Sequence, residues 1–308
     1  MAADAVSPDP DRHAPSCAAG RCGDRCPLRR LQASVGDVVR ALTLLDRPAA
    51  ITENPVARLT QVAAYGDATT PGGPFRVQSG WVSLRLHPDA VAGAMLVQPT
   101  HSAPGEEPVP ELRLCATDGH PVHRCLPLLP EDRLVIEGLA HVDGRLPGPE
   151  FGAYSGTTTS DDLPDQLQRI DDLLTWTTAA TPFLPHRHIE PGVIVDVVEH
   201  ACAVGLPLGI AVFSEAAMHA VQDTLQSVAH AAGIMAVGTE EAILEIRPAA
   251  VHHCLALRLH GPHGPTSSLE LYDSGNRRVA LISQFGIVES GVHDAWEQLA
   301  ESLPELLP

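Results

Sequence analysis

Apolar and polar positions alternate along most of this chain, and the period of the alternation divides it into elements. Residues 34–46 place apolar side chains at helical spacing, and Ser34 stands where an N-cap belongs. Arg47-Pro48 ends that helix, because a residue before proline is driven out of helical backbone angles. Residues 49–63 fit neither period. Phe75 to Leu86 and Ala90 to Val97 read as strands about a His87-Pro88-Asp89 turn. Glu111 to Cys115 and Val122 to Leu126 read as a hairpin around Asp118-Gly119. Leu163 to Trp176 predicts a helix with Leu167, Ile170, Leu173 and Leu174 on one face, stopped by Pro182 and Pro185. Gly192 to Val204 predicts another, closed by Gly205. Pro207 to Phe213 is a continuous apolar run, the pattern of a buried strand. Residues 242–246, 250–259, 267–272 and 278–285 continue the strand series, and Val292 to Leu303 predicts a closing helix. Strands in runs with helices at the edges predict an α+β fold.

The pattern occurs twice. Leu84 to Gln98 and Leu244 to Arg258 share a proline (Pro88, Pro248) and an Ala-Val pair (Ala90-Val91, Ala250-Val251) at a constant offset of 160 residues. Each copy leads to a second strand and turn, Leu112–Cys115 before Asp118-Gly119 and Leu269–Tyr272 before Asp273-Ser-Gly275. Two motifs in one order in both halves predict two tandem similar halves, each a large antiparallel sheet with packed helices, related by a pseudo-twofold. Glu215 to Ala232 has the composition of a helix, yet the repeat makes part of it strand. The division is a tail over 1–30, a first repeat over 31–140, a linker over 141–190 and a second repeat over 191–308. A cleft between such halves is a natural ligand site.

Charge and cysteines narrow the chemistry. The net charge is −18, from 20 basic and 38 acidic residues. That disfavours a nucleic-acid partner, whose phosphates call for basic contacts. No apolar run approaches the roughly 20 residues that span a bilayer, so membrane insertion is not expected. Seven scattered cysteines and no secretory signal suit the cytoplasm. There is no phosphate-binding glycine loop, nucleophile elbow or zinc-protease motif. Cys17, Cys22 and Cys26 with His13 have the wrong spacing for a zinc ribbon and read as an oxidisable tail. His252-His253-Cys254 lies on a predicted strand, where neighbours face opposite sides, and reads as a solvent-facing histidine beside a half-buried cysteine.

Pro207-Leu-Gly-Ile-Ala-Val-Phe213, Leu244-Glu-Ile-Arg247 and Thr266 to Gly275 resemble the second half of the cytosolic haem-utilisation proteins, also called hemin-degrading factors or hemin transport proteins. Ala49 to Asn54, Ala64-Tyr-Gly66, Val82 to Leu86 and Asp118 to His123 follow the order of their first half. The resemblance spans roughly residues 38–300 and implies one haem in a cleft between halves. Arg85 would face the iron. His186 or His188 of the linker is the positional candidate for its ligand, although the family's Asp-Val-His pattern is missing. Arg247, Arg258 and Tyr272 would line the haem, the arginines either reaching its propionates or forming plain surface ion pairs in this acidic chain. Haem would be carried, stored or oxidatively opened, with haem-import machinery and an external reductase as partners. The rival reading is a divergent relative that has lost haem and acts as a non-catalytic binding or scaffold module.

Overall fold

The computed structural model describes residues 28–66, 77, 80–87, 90–98, 109–142, 186–261, 264–285 and 288–306. The tail cysteines, the helix predicted over Leu163–Trp176 and Pro88 lie outside them. The first half runs β1 (Leu28–Arg30), α1 (Val35–Leu42), β2 (Pro48–Glu53), β3 (Ala57–Val62), β4 (Ala64–Tyr65), β5 (Trp81–Leu86), β6 (Val91–Val97), β7 (Glu111–Ala116), β8 (Pro121–Pro127) and α2 (Pro130–Leu139). The second runs β9 (His186–Ile189), α3 (Val193–Val204), β10 (Pro207–Phe213), β11 (Ala217–Thr224), β12 (Ser227–Ala231), β13 (Ile234–Gly238), β14 (Ala242–Ile246), β15 (His253–Gly261), β16 (Gly264–Tyr272), β17 (Arg278–Ser283) and α4 (Ser290–Ser302).

The helix ends follow from local chemistry. Ser34 caps α1, its hydroxyl accepting from the Asp37 amide at 3.1 Å. Gly205 closes α3 in the left-handed region at φ 66°, where only glycine carries no Cβ penalty. Residues 49–63, without a period in the sequence, form the β2–β3 hairpin, and Glu215 to Ala232 is strand rather than helix. The last residues of the expected linker are β9, paired to the edge of β15.

Two sheets form, in the orders β1-β6-β7-β8-β2-β3-β14-β13-β12 and β4-β5-β11-β10-β17-β16-β15-β9. Each is built mostly from one half and completed by strands of the other, β12 to β14 in the first sheet and β4 and β5 in the second. β14 of the second half pairs with β3 of the first, Ala57 opposite Ile246. β5 of the first pairs with β11 of the second, Ala217 opposite Leu86. The two pairs are related by the same offset of 160 that links the sequence motifs. The halves have therefore exchanged strands about their pseudo-twofold, with β14 and β5 at the two seams. The crossing hairpins lock the exchange. Asn54 donates to the carbonyls of Phe213 and Val279 at 2.7 and 2.8 Å, while the Ser214 hydroxyl donates to the carbonyl of Val122 at 2.7 Å.

One core packs α1 and α2 against Leu84, Leu86, Leu96, Leu112 and Leu114. The other packs α3 and α4, through Val198 and Trp296, against Leu208, Ile210, Ile246 and Leu271. All four helices thus lie on the core side of their sheet. The opposite sheet faces are where the halves differ.

Candidate functional site

Strand alternation carries Leu84 and Leu86 into the first core, both essentially inaccessible, and turns Arg85 to the other face. Because β5 belongs to the eight-stranded sheet, this first-half arginine sits on the second half's sheet. It lies opposite Met218, which lies opposite Phe213. Arg278 of β17 stacks on the Phe213 ring with its guanidinium carbon 4.0 Å from the centroid, and Tyr272 follows opposite Arg278. The neighbouring row reads Ser83, Ala220, Ala211, Leu281, Glu270, Leu255 and His188. A third runs through Gly209, Ser283, Ser268, Leu257 and His186. Gly209 is required: a Cβ there would lie 2.3 Å from the Phe285 ring that covers it.

This face is apolar and buried, with a charged cluster set into it. Arg85 and Glu270 are both 0% exposed. Glu270 accepts a hydrogen bond from the Tyr272 hydroxyl and pairs with Arg278 at 3.3 Å. Phe213, Met218, Leu281 and Phe285 form one apolar patch, and Leu255, Leu257 and Tyr272 another beside it.

The matching face of the nine-stranded sheet is different. Glu245 takes the place equivalent to Arg85, facing Arg58 and then Glu53. Arg124 bridges Glu53 at 2.9 Å and Glu111 at 2.5 Å, and Arg113 joins Glu111 at 2.9 Å. These half-buried pairs hold the Glu111 carboxyl below its usual range against the opposing effect of burial. One face is a ladder of ions and the other an apolar floor, so only one suits a large apolar ligand.

The sequence candidates divide accordingly. Arg85 and Tyr272 share the apolar face. His186 and His188 share it too, with ring centroids 5.1 Å apart, but on β9 at its far edge. Six strand-to-strand steps separate β5 from β9, about 29 Å along the sheet at roughly 4.8 Å per step. Ligation of iron by either histidine opposite Arg85 rests on the family resemblance alone; the strand order places them on the same face, on strands that are not neighbours. Arg258 turns to the helix side of its sheet, where it pairs with Glu301 at 3.1 Å and Glu297 at 3.7 Å. Arg247 donates to the carbonyl of Pro55 beside the ion ladder. Neither arginine reaches the apolar face. His252 and His253 are exposed and stacked at 4.6 Å, with Cys254 buried between strands. No group of three or more metal-ligating side chains forms among the described residues. Sequence reading missed Phe213, Met218, Glu270 and Arg278. The alternation Ser268-Leu-Glu270-Leu-Tyr272 carried the signal for Glu270, since it sets the carboxylate on the face away from the leucines.

A second polar cluster lies where the hairpins cross. His123 shares hydrogen bonds with Thr52 at 2.8 Å and Tyr65 at 2.7 Å, and His219 with Gln61 at 3.0 Å. Burial holds His219 down to about 3, and burial, with His219 and Arg124 nearby, holds His123 well below its usual range. Both imidazoles are neutral, and the cluster is structural rather than part of the face.

No family model and no curated protein matches the chain. Solved structures do. PhuS in its apo form, a heme-binding protein from Pseudomonas aeruginosa, aligns with a TM-score of 0.67 at 17% identity, over 91% of this chain and 87% of that one. ChuS, an E. coli heme oxygenase, aligns at 0.70 and 15% identity over 94% and 91%. The chain has the fold of these proteins. Holo-PhuS aligns equally well, at 0.68 and 16% identity. At these identities the likeness establishes the architecture alone. No helix among the described residues is long and apolar enough to cross a membrane.

Proposed function

We propose that this protein binds one haem on the buried face of its eight-stranded sheet, with Arg85 facing the ligand. The observation that carries the reading is the exchange of β5, which sets a first-half guanidinium on the apolar face of the second half while the equivalent face is an ion ladder. The residues fit the group. Phe213, Met218, Leu281 and Leu255 offer apolar surface to a flat macrocycle, and buried Arg85 and Arg278 offer guanidinium groups to its carboxylates. The shared fold with PhuS and ChuS supports the same reading.

Carriage or storage of haem needs no more than this. Oxidative opening would further need an external reductase, and delivery by haem-import machinery in the cytoplasm belongs to the same reading. Titration of the purified chain with hemin, followed in the Soret band, tests it. Saturation at one equivalent is expected for the parent, with weaker binding by Arg85→Ala. Absence of saturable binding by the parent would favour a scaffold that has lost haem.

A further inference from the structure

We propose that Glu270 is a specificity-determining residue, favouring a tetrapyrrole whose core carries positive charge over a metal-free one of the same shape; the proposal rests on the haem reading above. An apolar floor alone does not discriminate between the two, because a ferric and a metal-free macrocycle with identical side chains present the same outline. The charge at their centres differs: a ferric core carries one net positive charge and a metal-free core none. Glu270 places a carboxylate inside the floor rather than at its rim. It sits in the row between Leu281 and Leu255, is fully buried, and accepts from the Tyr272 hydroxyl on one oxygen while the other faces Arg278. Those two contacts fix its orientation. Arg278 is in turn pinned on Phe213, which keeps its positive charge to one side of the carboxylate. Glu270 offsets the Arg278 guanidinium; without it the face gains one net positive charge, which under a low-dielectric surface disfavours a positive core far more than a neutral one. The position equivalent to Glu270 on the other sheet is Arg113, within the ion ladder, so the carboxylate belongs to the apolar face alone.

The test titrates the full-length parent and Glu270→Gln with hemin and with metal-free protoporphyrin IX, by absorbance and by quenching of tryptophan fluorescence. Gln keeps an oxygen for the Tyr272 hydroxyl and removes the charge together with the acceptor that faces Arg278. The expected result is a parental preference for hemin that falls on the order of tenfold in the variant, the metal-free ligand binding as well or better. Parallel loss of both affinities, or an unchanged ratio, would overturn the proposal. If the variant fails to fold, gallium(III) against zinc(II) protoporphyrin on the parent supplies the same contrast of core charge, and equal affinities would overturn it. A parent that binds neither hemin nor protoporphyrin refutes the haem reading itself, a result distinct from binding without preference.

Discussion

Acid should unfold this protein through two histidines that never reach water. His219 and His123 are buried at the crossing of the hairpins, and both are neutral in the folded state. In the unfolded chain each regains its ordinary value of 6.5. A folded-state value below the unfolded one means that the unfolded chain binds the proton first. The stability is therefore intact at pH 7 and is lost as pH falls through 6.5 toward 3. At pH 5 an unfolded histidine is about 1.5 pH units below its midpoint, which favours unfolding by about 2 kcal/mol for His219. His123, also held well below its ordinary value by burial, acts in the same direction, and the roughly 5–15 kcal/mol that holds a domain folded is small enough for such losses to matter. The carboxylates held low, Glu111 and Asp273, act in the same direction but at lower pH, because their unfolded values lie near 4. The window from pH 7 to 5 thus isolates the histidines. Urea titrations at both values measure the loss. In His219→Gln, which keeps a partner for Gln61, the difference between the two pH values should shrink by about 2 kcal/mol, whatever the substitution costs at pH 7. A variant with the parent's full pH dependence would refute the assignment.

Three further outcomes follow from the site. Arg85→Ala should weaken hemin binding at least tenfold, and an unchanged Soret titration would remove Arg85 from the site. The double variant His186→Ala/His188→Ala should keep the parental hemin affinity and spectrum, since β9 lies six strands from β5; loss of a histidine-ligated spectrum would show that the strand order has been misread as a separation. Gly209→Ala forces a methyl into the Phe285 ring and should cost about 1–3 kcal/mol in urea unfolding, with much of it recovered when Phe285→Ala is added; an additive double variant would refute the contact.

The alternation of Leu84, Arg85 and Leu86 was legible, and so was its consequence: leucines to the core, arginine to the other face. The doubled motif was legible as well, and the strand pairings Ala57–Ile246 and Ala217–Leu86 stand at the same offset of 160. Ser34 and Gly205 announced their helix ends through capping chemistry that acts within four residues. The helix Pro130–Leu139 carried comparable marks, a proline at its first turn with Glu131 and Asp132 behind it, and passed unrecognised for want of a clear apolar period. The four-residue strand β9 gave no signal, since an edge strand this short is defined by the partner it pairs with.

Local order, the repeat and the faces of each strand were therefore set by neighbours in the chain, where periodicity and caps operate. Which strand lies beside which was decided by tertiary structure alone. Pairing β5 with β11 and β14 with β3 joins residues more than 130 positions apart, through backbone hydrogen bonds that any sequence can make. That exchange put Arg85 on the second half's sheet, beside Met218 and on the face that Phe213, Glu270 and Arg278 also line. Burial then gave the two outer faces their different character, an ion ladder on one sheet and an apolar floor holding one carboxylate on the other.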